Sequence, residues 1–86
     1  MYEKKMYIRN NIGLHSKVSA NFAKKAKEFK SFIWLSKEEN SINAKNLLEI
    51  LSLGIINGDM IKISADGVDE EQAVETLVEF LSKIKI

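Results

Sequence analysis

The chain has 86 residues, and we expect residues 1–86 to form one small domain. Thirteen basic and twelve acidic side chains leave a formal charge of +1, so no overall field favours nucleic acid or an anionic membrane. Because the chain has one histidine and no cysteine, we expect no disulfide, no metal site and no other cofactor. No apolar run resembles a signal peptide or a membrane span, so we expect a cytoplasmic protein without membrane contact.

The first predicted elements are a strand and a helix, separated by a turn. Residues 2–9 alternate between apolar and polar positions, as a half-buried strand does. Residues 10–14 contain two asparagines and a glycine, which predict a sharp turn. Residues 16–29 place apolar side chains on one helical stripe, which predicts a helix with four core positions: Phe22, Ala23, Ala26 and Phe29.

The middle of the chain predicts a hairpin followed by a short helix. Residues 32–37 are rich in aromatic and β-branched side chains, which favour a strand. The polar residues 38–40 predict a turn into a shorter strand over residues 41–43. Residues 45–54 predict a helix that stops at Gly54, because glycine readily takes the left-handed cap conformation.

The last predicted elements are a strand and a helix. Residues 57–59 predict a turn, and residues 60–65 alternate as a strand does. Three residues of this strand are expected to be available to the core: Met60, Ile61 and Ile63. Asp69, with Gln72 three residues later, is the predicted cap of the final helix. One face of that helix carries an apolar stripe: Val74, Leu77, Val78, Leu81 and Ile84.

The predicted order is strand, helix, strand, strand, helix, strand, helix. Each helix has one apolar stripe, so all three helices can cover the same face of a sheet. The sequence therefore predicts an α/β (α+β) fold, a two-layer open-faced sandwich with a four-stranded antiparallel sheet and three helices on one face. Trp34, Tyr7 and several lysines are expected on the open face.

The only histidine, His15, follows the predicted turn at the start of the first helix. Histidine titrates near neutral pH, so a neutral ring nitrogen is available as a nucleophile toward phosphorus. The first amides of a helix lack internal partners and carry the positive end of the macrodipole. The amides of Ser16, Lys17 and Val18 are therefore candidate phosphate donors, beside the Lys17 ammonium. A lone histidine is more often a surface or capping side chain. Here its position at a predicted helix start favours a role as phosphoryl acceptor.

Three segments resemble the HPr phosphocarrier family: GLHSKVSANFAKKAKEF, NAKNLLEILSLGI and MIKISADGVDEEQAVETLVEFL. In the first segment, Gly13, Leu14, His15 and Ala20 keep the register of the family's active-site region. The resemblance implies a covalent phosphocarrier, not an enzyme, in the phosphoenolpyruvate-dependent sugar phosphotransferase system. It implies that enzyme I phosphorylates His15 and that a sugar-specific enzyme IIA receives the group.

Three positions depart from the family pattern. Lys17 replaces an arginine and lacks its planar, bidentate fork. Val18 replaces a proline, which adds a backbone amide at the start of the helix. Asn46 stands where many Gram-positive members carry a serine that an ATP-dependent kinase phosphorylates, so we predict no regulation there, with Ser41 and Ser52 as less favoured acceptors.

Partners are expected to dock beside His15, on the second helix of an otherwise monomeric protein. Leu47, Leu48 and Leu51 share one helical face, which is either part of the core or, as the resemblance implies, an exposed apolar patch. The remaining docking candidates are one small residue and a basic rim: Ala20, Lys24, Lys27 and Lys45.

Two other functions stay open at this point. A regulatory docking module with the same fold would bind a transcription factor or a metabolic enzyme without carrying phosphate. The three departures favour such a module, whereas the retained His15 does not. A nucleic-acid-binding domain would use Trp34 and Tyr7 on the open sheet face, but the near-zero net charge disfavours it.

Overall fold

The computed structural model describes residues 1–9 and 15–84, so the turn predicted for residues 10–14 lies outside the described part. Four strands and three helices follow one another in the predicted order: β1 (Tyr2–Tyr7), α1 (Ser16–Ala26), β2 (Phe32–Lys37), β3 (Asn40–Asn43), α2 (Leu47–Ser52), β4 (Met60–Asp66) and α3 (Glu70–Ser82).

All strand pairs in the sheet are antiparallel, in the spatial order β1-β4-β2-β3. Strand β4 is therefore central, and its register places Ser64 between Glu3 of β1 and Trp34 of β2. On the other side of β2, Trp34 is opposite Asn43. The predicted fold class, a four-stranded antiparallel sheet with three helices, is confirmed.

The two faces of the sheet differ in burial because side chains alternate along each strand. The face under the helices carries the fully buried side chains of the central strands: Ile33, Leu35, Ile61, Ile63 and Ala65. Met60 precedes Ile61 and so belongs to the opposite face, where it is exposed. The prediction that Met60 is available to the core is therefore wrong.

The helices complete the core, α1 and α3 largely through their predicted stripes and α2 through Ile50, which is outside the predicted set of Leu47, Leu48 and Leu51. Buried side chains come from all three: Phe22, Ala23 and Ala26 of α1, Ile50 of α2, and Ala73, Val74, Leu77 and Leu81 of α3. Removing a side chain of leucine size from water stabilises the fold by about 1.5–3 kcal/mol, so a handful of such positions supports a domain this small. Helices α1 and α2 also pack against each other.

Helix α1 ends three residues earlier than predicted. The amides of Glu28 and Phe29 donate to the carbonyls of Lys25 and Ala26, three residues back, so the last turn tightens and the α-helix stops at Ala26. Phe29 still packs against the core as a half-buried side chain. The apolar stripe was thus predicted correctly, and the end of the helix was not.

Asp69 holds the N-cap position of α3 but makes no side-chain capping bond. Its carboxylate instead accepts from the amides of Lys30 and Ser31 at 2.9 and 3.0 Å and from the Ser31 hydroxyl at 2.5 Å. The predicted capping pair with Gln72 is therefore wrong, because the chain before β2 supplies better donors. These bonds, that of the Ser31 hydroxyl foremost, lower the pKa of Asp69.

Candidate phosphoryl site at the start of helix α1

His15 is the N-cap residue of α1. Its backbone is extended (φ −78°, ψ 177°), and its carbonyl accepts the first helical bond from the amide of Ser19 at 2.9 Å. The Nδ1 atom of the ring accepts a hydrogen bond from the backbone N–H of Lys17 at 3.3 Å. The half-buried ring therefore caps the helix with the same nitrogen that lies over its positive end.

The amides of Ser16, Lys17 and Val18 lie in the first turn, ahead of the helical hydrogen-bond ladder. The side chains of Ser16 and Lys17 are exposed, and that of Val18 is half-buried. The first turn contains no acidic residue that would repel an anion. The structure thus brings together the three predicted phosphate-binding residues and His15.

Lys17 supplies the positive side chain nearest in sequence to the ring. Its side chain is exposed and forms no ion pair with any residue that the structure describes. Unlike an arginine, a lysine makes point-charge contacts with no fixed planar geometry. The site therefore has charge available for an anion, while orientation depends on the backbone amides.

The predicted docking residues divide into exposed and engaged side chains. Leu48 is 76% exposed and Leu51 37% exposed, whereas Leu47 is half-buried against the core. The α1 candidates are exposed: Ala20, Lys24 and Lys27. Lys45 differs because its side chain is half-buried and its Nζ donates a hydrogen bond to the carbonyl of Phe29 at 2.8 Å. Its ammonium group therefore already has a partner within the domain.

Asn46 is the N-cap of α2 and accepts from the amide of Glu49 at 3.1 Å through its side-chain oxygen. The residue therefore has a structural role that a serine also fills well. The Ser52 hydroxyl donates to the carbonyl of Glu49, and the Ser41 hydroxyl accepts from Ser36. Both serines predicted as alternative acceptors are thus hydrogen-bonded within the chain.

The sequence-based prediction of the open face omits Phe32, which is 73% exposed. Its ring stacks on Trp34, with centroids 6.3 Å apart and planes at 28°. The i, i+2 spacing of the two aromatic residues in one strand was the signal that could have found this pair. The open face therefore displays more aromatic surface than Trp34 and Tyr7 alone provide.

Neither a metal site nor a membrane-spanning helix is found within residues 1–9 and 15–84. No group of three or more metal-binding side chains comes together there. No helix of this part is long and apolar enough to cross a membrane.

Comparisons with known proteins agree on one family. Residues 2–83 match the family model described as the PTS HPr component phosphorylation site. The phosphocarrier protein HPr of Haemophilus influenzae is 40% identical over 85 residues, which are 99% of this chain and 100% of the relative. The crystal structure of HPr-C-His from Thermoanaerobacter tengcongensis has a TM-score of 0.91 and 40% identity, covering 95% of this chain and 92% of that one.

A further solved structure is that of Crh, the Bacillus subtilis catabolite repression protein described as an intertwined dimer with a swapped domain. It has a TM-score of 0.78 and 29% identity, covering 100% of this chain and 99% of that one.

The open-faced βαββαβα sandwich and these matches together define the class as small phosphocarrier proteins. This chain belongs to the HPr family of phosphocarrier proteins of the phosphotransferase system.

Proposed function

We propose that His15 accepts a phosphoryl group from phosphorylated enzyme I and passes it to a sugar-specific enzyme IIA. The observation that carries this proposal is the hydrogen bond from the Lys17 amide to Nδ1 of His15. An acceptor nitrogen has its lone pair free of a proton, so in the neutral ring the proton lies on Nε2. Nδ1 is then the nucleophilic atom.

The transfer step exchanges one bond to phosphorus for another. The Nδ1 lone pair attacks the phosphorus of the phosphoryl group on enzyme I, the new Nδ1–phosphorus bond forms, and the bond between phosphorus and the leaving atom of enzyme I breaks. Nδ1 has a single lone pair, so its hydrogen bond from the Lys17 amide breaks as the atom attacks, while the backbone of the helix start already places Nδ1 beside the first-turn amides. Transfer to enzyme IIA is a second step of the same kind with this chain as the donor: a nucleophile of enzyme IIA attacks the phosphorus, its new bond to phosphorus forms, and the Nδ1–phosphorus bond breaks.

The phosphoryl group on Nδ1 replaces the ring nitrogen as acceptor for the Lys17 amide. Its oxygens are held by the amides of residues 16–18 and by the Lys17 ammonium, where the helix macrodipole favours negative charge. Val18 contributes one of these donors only because it is not a proline. This additional backbone donor helps to orient the phosphoryl group, and so partly replaces the bidentate contact that the family's arginine would make.

Partner docking uses the apolar surface of α2 beside the basic surface of α1. Leu48 and Leu51 are exposed, and α1 packs against α2, so both helices present one continuous layer to a partner. Lys24 and Lys27 give this layer a positive rim that favours an acidic partner. Lys45 is left out of the proposed rim because its ammonium is bound to Phe29.

The protein is proposed to act in the cytoplasm as a monomer, since a carrier must present the same surface to two partners in turn. A chain of 9.8 kDa that sediments as one such unit supports this part of the proposal. A stable dimer, as described for Crh, would contradict it.

The experiment that tests the proposal is intact-mass analysis after incubation with phosphoenolpyruvate, magnesium and a cognate enzyme I. We expect one acid-labile phosphoryl adduct, which is lost when an enzyme IIA is added. The matched control is His15→Asn, because asparagine caps helices well but cannot accept the group. An adduct that persists in His15→Asn would contradict the proposal.

The second candidate is a regulatory docking module that carries no phosphate. It is favoured by Lys17 and Val18 in place of the family's arginine and proline, and by the likeness to Crh, which is described as a catabolite repression protein. It predicts a folded chain that gains no phosphoryl adduct but captures a transcription factor or a metabolic enzyme through the α2 surface. Phosphorylation at a rate that supports sugar uptake would dismiss it.

A further inference from the structure

Of the asparagines in the chain, only Asn57 is followed by a glycine. Asn57 and Gly58 lie in the turn between α2 and β4, and both residues are exposed. Gly58 has a φ of 95°, which side chains other than hydrogen rarely permit, so the turn requires glycine at this place. The turn therefore presents a side-chain amide next to the least hindered backbone nitrogen that could attack it.

An asparagine before a glycine can lose its side-chain amide through a cyclic imide. The deprotonated nitrogen of Gly58 attacks Cγ of Asn57, a nitrogen–carbon bond forms, and the bond from Cγ to Nδ2 breaks. Nδ2 leaves as ammonia, taking up by way of solvent the proton that Gly58 gave up. Water then opens the imide. Attack at Cγ gives an aspartate, whereas attack at the backbone carbonyl carbon gives an isoaspartate, in which the main chain runs through Cγ.

In the folded chain, the nitrogen of Gly58 is held away from this reaction. Its N–H donates to the carbonyl of Ile8 at 2.7 Å, and the amide of Ile8 donates to the carbonyl of Asp59 at 2.9 Å. These two backbone bonds join the turn to the residue that follows β1. Ile8 is only 1% exposed, so the bonds lie beside the core. The attack on Asn57 therefore requires a local opening in which the bond between Gly58 and Ile8 breaks.

A second set of bonds closes the same turn. The amide of Asp59 donates to the carbonyl of Ile56 at 3.1 Å, and the amide of Ile56 donates to the Asp59 carboxylate at 2.8 Å. Lys37, at the end of β2, donates from Nζ to the carbonyl of Gly54 at 3.0 Å and pairs with the Asp59 carboxylate at 2.8 Å. The Lys37 side chain is only 20% exposed, so water screens this pair less than a pair on the open surface. Lys37 thus helps to hold the turn around Asn57 closed.

We propose that Asn57 is a deamidation site, closed in the folded chain and reactive when the bond between Gly58 and Ile8 opens. The rate in the folded protein is then the rate of the unfolded chain multiplied by the fraction of molecules in which the turn is open. An isoaspartate lengthens the main chain of the turn by one methylene, so the two bonds to Ile8 cannot both re-form in the same register. We expect the isoaspartate form to be less stable than the parent.

The test follows Asn57 in the full chain at mildly alkaline pH, folded in buffer and unfolded in guanidinium chloride. Mass spectrometry of the peptide that contains residue 57 detects the replacement of an amino group by a hydroxyl, and chromatography separates the aspartate and isoaspartate products. We expect conversion in the unfolded chain to both products. Asn46, which is followed by Leu47, is the internal control and should stay intact over the same period.

Conversion of Asn57 should be at least about tenfold slower in the folded chain, which corresponds to an opening free energy of about 1.4 kcal/mol or more. Equal rates in the two states, or an unfolded chain in which Asn57 stays intact, would overturn the proposal. The reaction uses no residue of the phosphoryl site. His15→Asn should therefore deamidate at the rate of the parent, whatever its phosphorylation shows.

A pair of lysine variants tests the closure of the turn. Lys37→Met removes both bonds of the ammonium and leaves the sequence around Asn57 unchanged, so the rate in the unfolded chain should stay the same. In the folded chain we expect conversion to rise about fivefold, a severalfold effect typical of a lost ion pair. Lys83→Met is the matched control, because Lys83 pairs with Glu79 on the exposed surface of α3. It should change neither rate.

Amide hydrogen exchange shows whether a variant opens the turn or unfolds the whole chain. The exchange of the Gly58 amide reports on its bond to Ile8, and that of Ile63, in the central strand β4, reports on global unfolding. In the parent and in both lysine variants, the conversion rate of the folded chain should follow the exchange of Gly58. Conversion that follows the exchange of Ile63 instead, or that stays constant while Gly58 exchanges faster, would overturn the proposal.

Discussion

The backbone N–H of Lys17 donates to Nδ1 of His15 at 3.3 Å, so one ring nitrogen both caps α1 and faces the positive end of that helix. Under the proposed function, capping and phosphoryl acceptance depend on the same lone pair. The Lys17 amide would then exchange one acceptor, the ring nitrogen, for another, a phosphoryl oxygen, on loading.

Replacing His15 should affect stability according to the capping ability of the new residue. His15→Ala is expected to lower the free energy of unfolding by about 1 kcal/mol, the usual loss of an N-cap. His15→Asn should stay close to the parent because its side chain also accepts from a first-turn amide. Urea denaturation followed by circular dichroism measures both, and equal stability of the two variants would contradict the capping role.

Lys17 should set the rate of phosphoryl transfer through charge and geometry. Lys17→Ala is expected to slow transfer from enzyme I on the order of tenfold, the worth of one charge-assisted contact of about 1.4 kcal/mol. Lys17→Arg should accelerate transfer, because the guanidinium fork holds two phosphoryl oxygens. Rapid-quench measurement of adduct formation gives both rates. If Lys17→Ala reacted as fast as the parent, the ammonium would have no part in the step.

Two neighbouring apolar residues of α2 should behave in opposite ways. Leu48 is 76% exposed, so Leu48→Ala should change stability by less than about 0.5 kcal/mol while slowing transfer to enzyme IIA. Ile50 is 1% exposed, and Ile50→Ala should cost about 2–5 kcal/mol through the cavity it leaves. Thermal unfolding and transfer kinetics test the pair. A Leu48→Ala variant that transfers normally would argue against docking at this position.

The order of elements was predictable because each local pattern is strong. The alternation in residues 60–65 predicts a strand, and the apolar stripe of α3 predicts a helix. Gly54 has the positive φ, 60°, that is expected of a glycine after a helix. Helix ends were less predictable. The end of α1 depends on i→i−3 bonds of Glu28 and Phe29, which leave no mark in the composition.

The candidate site was predictable only in part. The placement of His15 before a helix follows from local sequence, whereas the choice of Nδ1 as the capping atom depends on the orientation of the ring in the folded chain. The hydrogen bond from Lys45 to the carbonyl of Phe29 joins residues 16 positions apart, so no local sequence pattern predicts it. Exposure of Leu48 was equally undecided, because an apolar stripe on a helix indicates a core or a docking face alike.

Asp69 should make stability depend on acid pH. Its hydrogen bonds, first that of Ser31 and then that of the Lys30 amide, lower its pKa in the folded protein. The stabilisation is therefore complete above the unfolded-state pKa of an aspartate, about 3.9, and is lost as the pH falls through the lower folded-state pKa. Asp69→Asn should be less stable than the parent at neutral pH. Its urea unfolding midpoint, measured from pH 7 to 2, should fall less steeply at acid pH than that of the parent. An unchanged acid limb would contradict this assignment.

Gly67 should tolerate no side chain because of its contact with Ser31. Its φ is 155°, and a Cβ would lie 2.5 Å from the Ser31 Oγ and 2.6 Å from the Ser31 Cα. Gly67→Ala is expected to destabilise the fold by about 1–3 kcal/mol from backbone strain alone, with the clash in addition. Gly58→Ala is the control, since its φ of 95° is also strained but nothing lies within 4 Å of its Cβ. Equal losses in calorimetry would mean that the contact is unimportant.

The most direct test of the phosphoryl-carrier account is to identify the phosphorylated atom. Long-range ¹H–¹⁵N NMR of the ¹⁵N-labelled chain, loaded by enzyme I and phosphoenolpyruvate, distinguishes the two nitrogens of the His15 ring. The predicted result is a phosphorus–nitrogen bond at Nδ1 and a downfield shift of the Lys17 amide proton, which then donates to a phosphoryl oxygen. A phosphoryl group on Nε2, or a loaded protein with an unmodified His15, would contradict the account.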